Sequence, residues 1–339
     1  MRFIFAVLVL YVHSYVLLYG ANGGTDPFTI WTHYQLSPGS LAVYGFFILS
    51  GFFMIQSLES NPSLWQYAKN RILRIVPAFW LSLFLTSFVL VPLISNATII
   101  SLNPDSSLYF FIKSAIFQVY GAAWTINGVF PNNPLIDNIN GSIWTLKYEV
   151  FLYVMLPLVS FLVYRKRQLI LYGAAILTVL SIAFIMNNFL LFSEPNANEY
   201  SNLLILTSFF YYGVLLYLYR DQIIISKRFV IALGTIFLLS LFLGNLKLIT
   251  LFVLPYLIIA FGSMIRTKWF SRTGDYSYGL YIYAFPVQQT LVHFYREDMN
   301  VYVFFMASFF ITLILSIISW HFFEKKILNM KHKRKNLHV

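Results

Sequence analysis

The chain has 339 residues, of which 59% are hydrophobic and 10% are charged, whereas about 25% are charged in a typical soluble domain. It contains no cysteine, which excludes disulfides, thiol catalysis and thiolate metal sites. The net charge of +11 does not indicate a nucleic-acid partner, because the basic residues lie in short loops and in the C-terminal tail. Apolar runs recur along the whole sequence, and no stretch is polar enough for a soluble domain. We therefore predict an all-α polytopic membrane protein.

A helix needs ~20 apolar residues to cross a bilayer core about 30 Å thick, and this length defines the predicted spans. No small-residue cleavage site follows the first apolar segment, which is therefore predicted to be a retained span rather than a signal peptide. A further apolar stretch, 108–126, is interrupted by Lys113 and Gln118. The ten predicted spans are 3–20, 40–57, 75–94, 144–164, 168–187, 202–219, 228–244, 247–265, 278–294 and 301–323.

The basic residues set the predicted orientation, since cytoplasmic loops are enriched in Lys and Arg. All basic clusters fall on one side only if an even number of spans separates them, so 108–126 is assigned to the outer face without crossing. Both termini are then cytoplasmic, with a membrane domain over 1–324 and a basic cytoplasmic tail over 325–339. The clusters on the predicted inner side are Lys69/Arg71/Arg74, Arg165/Lys166/Arg167, Arg220/Lys227/Arg228 and Arg266/Lys268/Arg272.

His13 is an ionisable residue inside the first span. It follows Arg2 by eleven residues, a distance of ~16 Å along a helix, and this places it near the middle of a ~30 Å core. An ionisable side chain at that depth is energetically unfavourable and is a functional candidate by default. The alternative is a structural histidine that is hydrogen-bonded to a neighbouring helix.

Glu149 is the second ionisable residue at membrane depth. Its span begins near Ser142 on the outer side, so Glu149 lies ~10 Å below the outer boundary. His13 lies ~14 Å below the same boundary in a ~30 Å core. A carboxylate beside an imidazole orients it and raises its basicity, which makes the two residues a candidate catalytic pair. The alternative is a structural pair that ties two helices together.

Arg71 and Arg74 lie three residues apart on one face of the third span, at its cytoplasmic end. Guanidinium groups bind phosphates with two parallel hydrogen bonds. Arg2, at the base of the His13 helix, is expected at the same level, so the three arginines form a cationic inner mouth suited to a phosphate-bearing donor. The alternative is a set of anchors that extend toward lipid headgroups.

Five short motifs, in order along nearly the whole chain, resemble those of membrane acyltransferase family 3, the O-acyltransferases that modify bacterial surface glycans. Each motif alone is weakly specific, whereas the ordered set is strongly so. The matching segments are Arg2 with His13 (Arg-x10-His), Val43–Gly51 (Phe-Phe before Ser-Gly), Arg71–Arg74 (Arg-x-x-Arg), Trp144–Pro157 (Trp…Glu…Pro) and Ser277–Pro286 (Ser-Tyr…Leu-Tyr…Pro).

The resemblance implies transfer of an acyl group, most often acetyl, from cytoplasmic acyl-CoA to a sugar hydroxyl of a surface polysaccharide or lipid-linked glycan. No bound cofactor is implied, because acyl-CoA is a co-substrate. The enzyme would lie among the lipids of the bacterial inner membrane. The implied roles are general base or covalent acyl carrier for His13, imidazole orientation or acceptor contact for Glu149, CoA phosphate binding for Arg2, Arg71 and Arg74, and lining of the site for Ser50, Trp144 and Tyr148.

The chain also departs from the family pattern. Ala284 stands where many members have His before an aromatic-Pro pair, so a packing role is expected for that segment. Relatives usually carry a short polar lead before the first helix, so the true start is expected upstream of Met1. The sequence carries no soluble esterase-like domain of the kind that follows the last helix in fused members. A transporter or flippase for a lipid-linked glycan is the alternative function, although neither an internal repeat nor a broken helix pair is evident.

Overall fold

A computed structural model describes residues 1–20, 24–61, 63–95, 97–118, 124–163, 168–187, 197–264, 274–296 and 299–329. Within these ranges the regular structure is helical, and the strand-like pairs are two isolated bridges, Thr98 with Ser106 and Thr125 with Asn138. The all-α prediction is therefore confirmed.

The helices of the described ranges are named in chain order. The Gly141–Thr145 segment is a 3-10 helix, and Thr86–Leu90 and Trp320–Glu324 are π-helical turns. The α-helices are α1 (Arg2–Tyr19), α2 (Pro27–Trp31), α3 (Pro38–Ser60), α4 (Leu64–Leu85), α5 (Val91–Ile94), α6 (Ser107–Ala115), α7 (Leu146–Val163), α8 (Gln168–Asn187), α9 (Ala197–Leu218), α10 (Lys227–Phe242), α11 (Leu246–Met264), α12 (Ser277–Tyr295) and α13 (Val301–Ser319).

Eight helical segments of the described residues are long and apolar enough to cross a membrane, so the chain is a multi-pass membrane protein. One of them, Leu64–Ile94, has 31 residues and begins eleven residues before the predicted span 75–94. Arg71 and Arg74 consequently lie inside a helix. The predicted spans 228–244 and 278–294 are helical but fall outside the eight.

The predicted spans 228–244 and 278–294 fall outside the eight for separate reasons. Helix α10 has only 16 residues, fewer than the ~20 that a ~30 Å core requires. Helix α12 has 19 residues, but it contains the adjacent side chains of Gln288 and Gln289, both fully buried in protein. A helix enclosed by protein does not need an apolar surface, so hydropathy underestimates its suitability to span. The total of ten spans stays a prediction.

The segment 108–126 begins with α6, which has nine residues and a length of ~14 Å. This is less than half of a ~30 Å hydrocarbon core. The described part of this segment therefore does not form a spanning helix, as the charge distribution predicted.

The side on which each loop lies stays a prediction, because the clusters at 165–167 and 266–272, the acid Glu194 and most of the tail lie outside the described residues. The chain has no cysteine, so single cysteines provide clean reporters. We expect cysteines at positions 166 and 326 to react with a membrane-impermeant maleimide only after permeabilisation, and cysteines at 132 and 196 to react in intact cells. Labelling of position 166 in intact cells would contradict the orientation.

The helices form two compact units that alternate along the chain. The Glu149 unit is built from α3, from α7 after its first two residues, and from α8 to α11. The His13 unit is built from α1, from α4 after its first turn, from α5, α6, α12 and α13, and from the π-helical turn Trp320–Glu324.

In the Glu149 unit, α3 and α9 pack with their backbones in direct contact. A methyl group at Gly51 would lie 1.9 Å from the carbonyl oxygen of Phe210, and one at Gly213 would lie 2.0 Å from that of Ile48. Small residues at such crossings allow close van der Waals packing of membrane helices. This contact fixes the part of α3 that carries Ser50.

The Gly213→Ala substitution is expected to destabilise the protein by ~1–3 kcal/mol, the usual effect of overpacking, because backbone atoms of α3 cannot move aside as a flexible side chain can. The control is Gly234→Ala in α10, where no atom lies within 4 Å of the added methyl group. Thermal unfolding in detergent, followed by tryptophan fluorescence, should show a lower Tm for Gly213→Ala only. Equal Tm values for the two variants would contradict the packing argument.

In the His13 unit, α12 packs against α1 and α13. Gly279 permits a close approach to α13, since a methyl group there would lie 2.9 Å from Cβ of Ser316. The hydroxyl of Tyr278 donates to the carbonyl oxygen of Ile75 on α4 at 3.1 Å. The first turns of α12 therefore lie where α4 and the end of α13 meet.

Candidate active site

The carboxylate of Glu149 accepts hydrogen bonds from two hydroxyl groups of its own unit. Ser50 Oγ donates to Glu149 Oε1 at 3.1 Å, and the Tyr153 hydroxyl donates to the same oxygen. The Tyr153 hydroxyl also lies 3.2 Å from Ser50 Oγ. Two donors on one oxygen fix the orientation of a half-buried carboxylate.

Tyr153 is itself held in place by a second contact, since the hydroxyl of Tyr67 donates to its carbonyl oxygen at 3.1 Å. Tyr153 lies four residues after Glu149 and so on the same face of α7. Sequence reasoning did not select Tyr153, although its i, i+4 spacing from Glu149 is visible in the sequence and could have indicated it.

His13 lies on α1 in the other unit, with its Nδ1 atom buried and without a hydrogen-bond partner among the described residues. Its ring meets the ring of Phe285 edge-on, at 5.2 Å between centroids. Gln288, one turn after Phe285, donates through Nε2 to the carbonyl oxygen of Leu10 at 3.0 Å and to Ser14 Oγ at 2.8 Å. Helix α12 thus fixes α1 on both sides of His13 while a ring nitrogen of His13 has no partner.

The segment before α7 is attached to the same helix, α12. Asn140 Nδ2 donates to the carbonyl oxygen of Ile282 at 3.1 Å, and the hydroxyls of Thr145 and Tyr281 lie 2.7 Å apart. A methyl group at Gly141 would lie 3.0 Å from the ring of Phe285. The 3-10 helix that carries Trp144 therefore supports the aromatic residue that contacts His13.

Arg74 forms a hydrogen-bonded ion pair with Asp275, just before α12. Burial alone would raise the pKa of Asp275, but the positive charge of Arg74, the hydrogen bond from Ser277 and the charge of Arg2 together hold that pKa below its usual value. Arg2 and Arg74 consequently act on the same carboxylate.

A second acid, Glu324, lies beside this ion pair at the end of the π-helical turn. Its side chain is 4% exposed, and Ser319 Oγ donates to its Oε1 at 3.2 Å. Its Oε2 has no partner among the described residues, and its charge interacts with those of Arg74 and Asp275. π-helical turns are frequent at functional sites, and this one places a carboxylate inside the protein.

The structure thus brings together some of the predicted site residues. Ser50 contacts Glu149, and Arg2 acts on the carboxylate that pairs with Arg74. Arg71 lies one turn before Arg74 on α4 and is half-buried.

The other predicted residues are divided between the units. Tyr148 is buried in the Glu149 unit, whereas Trp144 is half-buried in the His13 unit. His13 and Glu149 belong to different units, so their pairing stays a prediction.

Sequence reasoning missed both acids near Arg74. A usable signal existed, because Asp275 follows the basic cluster at 266–272 and Glu324 directly precedes Lys325. Acidic residues that interrupt basic clusters at the ends of spans are candidates for ion pairs with deep arginines. No group of three His, Asp or Glu side chains suited to a metal ion occurs within the described ranges.

The described residues contain eight apolar helices long enough to cross a membrane, a histidine with a buried ring nitrogen and an arginine paired with an acid. These features define a multi-pass membrane protein with polar groups among its helices. Residues 1–321 match the acyltransferase domain family, and the chain belongs to that family and is an acyltransferase. It is similar to a protein of Shigella phage Sf6 named O-acetyl transferase, with 25% identity over an alignment of 350 positions that covers 99% of this chain and 97% of the relative. No solved structure matches the chain.

Proposed function

We propose that this membrane O-acyltransferase moves an acetyl group from cytoplasmic acetyl-CoA to a sugar hydroxyl of a surface polysaccharide or lipid-linked glycan, and that it does so in the bacterial inner membrane. Membership of the acyltransferase family and similarity to a protein named O-acetyl transferase support the type of reaction. The donor, the acceptor and the membrane are those that the resemblance to this family implies.

The observation that carries the proposal is the arrangement of α1. Its first residue, Arg2, acts electrostatically on the carboxylate that pairs with Arg74. His13, with a buried ring nitrogen that has no partner among the described residues, lies ~16 Å further along the helix. Acyl-CoA carries phosphates at one end and a thioester at the other, joined by an extended linker. A cationic residue at one end of a helix and a base ~16 Å along the same helix suit such a donor.

In the proposed reaction, Arg2, Arg71 and Arg74 bind the phosphates of acyl-CoA through charge-assisted hydrogen bonds. His13 acts either as general base or as acyl carrier. As a base, it takes the proton of the sugar hydroxyl while the hydroxyl oxygen attacks the thioester carbonyl, and it then returns that proton to the departing thiolate. As a carrier, its ring nitrogen attacks the thioester carbonyl, and CoA leaves as the thiol with the proton of the ring. The sugar hydroxyl then attacks the acyl-imidazole, forms the ester and returns its proton to the released ring.

Glu149 has a fixed carboxylate, and we assign it to the orientation of the imidazole or to contact with the acceptor hydroxyl. Ser50 and Tyr153, which donate to this carboxylate, are positioning residues in either role. Trp144 and Tyr148 are proposed to line the site.

The test uses membranes from cells that make the native surface glycan, incubated with acetyl-CoA labelled in the acetyl group. We expect the label to enter the glycan fraction as a base-labile ester, at a rate that depends on expression of this protein. Membranes without the protein are the control. A flippase would change the amount of glycan at the surface without adding esters, and that result would overturn the proposed function.

A further inference from the structure

We propose that Asp275 is a positioning residue for the donor: it holds the guanidinium of Arg74 in the orientation in which Arg74 binds a phosphate group of acyl-CoA. This inference rests on the proposed function, because it presupposes that the arginine cluster binds acyl-CoA. It assigns a role to a residue that none of the five sequence motifs contains.

Arg74 is held from more than one direction. Nη2 of Arg74 pairs with Oδ2 of Asp275, and its guanidinium carbon lies 5.4 Å from the centroid of the Trp320 ring. Glu324, at the other end of the same π-helical turn as Trp320, interacts electrostatically with Arg74. A guanidinium packed on an aromatic ring and paired with a carboxylate has few orientations left.

Asp275 is fixed as firmly as its partner. The hydroxyl and the backbone N–H of Ser277 both donate to Oδ1, whereas Oδ2 pairs with Arg74. The two carboxylate oxygens thus have separate partners, so the carboxylate cannot rotate without losing one set of contacts.

Gly274 explains how the chain reaches this position. Its φ is +125°, and a methyl group there would lie 2.4 Å from Nε1 of Trp320. A residue with a side chain would be strained in this conformation and would also collide with the indole. The loop before α12 therefore packs against the ring that contacts Arg74, and Asp275 follows directly.

Energetics argue for positioning rather than for stability. The side chains of Arg74 and Asp275 are 20% and 39% exposed, and partly exposed pairs contribute only ~0–1 kcal/mol to folding. Asp275 engages one nitrogen of a guanidinium that carries five N–H donors, so the group is oriented while a phosphate can still be bound by its other donors. The need to orient Arg74 explains why an acid lies at a proposed phosphate site.

The test compares two acetyl donors: acetyl-CoA, and S-acetyl pantetheine, which has the same thioester and no phosphate. In Asp275→Asn we expect the KM for acetyl-CoA to rise by ~2- to 5-fold, in the range of a partly exposed ion pair, with kcat within about twofold, as for an interaction made equally in ground and transition states. The kinetic constants for S-acetyl pantetheine should not change. Asp137→Asn is the matched control, because it is the same substitution at a loop carboxylate that accepts a hydrogen bond from the N–H of Gly128.

Ser277→Ala is a second variant that retains both charges and removes one hydrogen bond to Asp275. It should raise the KM for acetyl-CoA by less than Asp275→Asn does. If Asp275→Asn fails to accumulate, Ser277→Ala still tests the proposal. A lower KM in Asp275→Asn would mean that Asp275 competes with the donor, and it would overturn the proposal. Equal losses with both donors would also overturn it, since they indicate a merely structural role.

Arg74→Ala separates failure of this inference from failure of the proposed function. If Arg74→Ala impairs use of acetyl-CoA selectively and Asp275→Asn does not, the donor site stands and the positioning role is wrong. If Arg74→Ala affects both donors alike, the proposed phosphate site is itself wrong, and the inference is overturned with it.

Discussion

The His13→Ala substitution is expected to abolish acetyl transfer while the protein still inserts and accumulates. A general base contributes ~10²–10⁴-fold to a rate, and a covalent carrier cannot be replaced at all, so activity should fall to background by either route. The ring of His13 packs edge-on against Phe285, and its Nδ1 has no hydrogen-bond partner among the described residues. Truncation to Ala therefore breaks no hydrogen bond of Nδ1 within the described residues, and we expect the protein to accumulate. The measurement is O-acetyl content of the purified surface glycan by mass spectrometry, with immunoblots for protein amount.

Conservative variants distinguish chemistry from packing at this position. His13→Gln and His13→Asn keep hydrogen-bonding capacity and lack a basic ring, so both should be as inactive as His13→Ala. Glu149→Gln keeps the shape of a side chain that accepts from Ser50 and removes its charge. If Glu149 stabilises an imidazolium, this variant should lose activity without losing abundance. Normal acetylation in His13→Ala would contradict the catalytic role of the histidine.

The sequence predicted those features that depend on neighbouring residues. The helix from Arg2 to Tyr19 follows from one apolar segment, and His13 lies inside it. The spacing of Arg71 and Arg74 on one helical face follows from three residues of separation. These are local properties, so periodicity and composition were sufficient.

The contacts of the candidate site were less predictable, because they join residues far apart in the chain. Ser50 and Glu149 are separated by 99 residues, and Arg74 and Asp275 by 201. The depth of a residue in the membrane restricts which residues lie at its level, but it does not show which of many helices are in contact. Sequence reasoning therefore described the arginines as a free cationic mouth, whereas Arg74 has an acidic partner.

Helix α12 is a predicted span that falls outside the eight apolar helices, and the cause is related. Hydropathy treats every span as if it faced lipid, but Gln289 of α12 donates to the carbonyl oxygens of Leu135 and Asn138. A polar side chain that is satisfied by protein is not energetically unfavourable at membrane depth. Polar residues that lower the hydropathy of a helix can thus indicate that it is central in the protein, as Gln288 and Gln289 do here.

Removal of the two arginines from α4 is expected to have the second largest effect. In Arg71→Ala/Arg74→Ala, kcat/KM for acetyl-CoA should fall by at least ~10- to 100-fold, since hydrogen bonds to charged groups contribute ~1.5–3 kcal/mol each. Arg74→Lys should recover only part of the loss, because an ammonium lacks the planar fork of a guanidinium. Initial rates of label transfer from acetyl-CoA to the glycan measure this effect.

Two controls separate donor binding from anchoring in the membrane. Arg220→Ala removes a basic residue from another predicted inner loop, where its guanidinium lies 4.1 Å from the centroid of the Tyr217 ring, and it should leave the KM for acetyl-CoA unchanged. Arg74→Ala removes the cation that lowers the pKa of Asp275, but the pair is partly exposed and contributes only ~0–1 kcal/mol to folding. Arg74→Ala should therefore accumulate normally while it loses activity. If the α4 and Arg220 variants lose abundance and activity in parallel, the arginines are anchors. A selective rise in KM in the α4 variants alone is the result that a phosphate site requires.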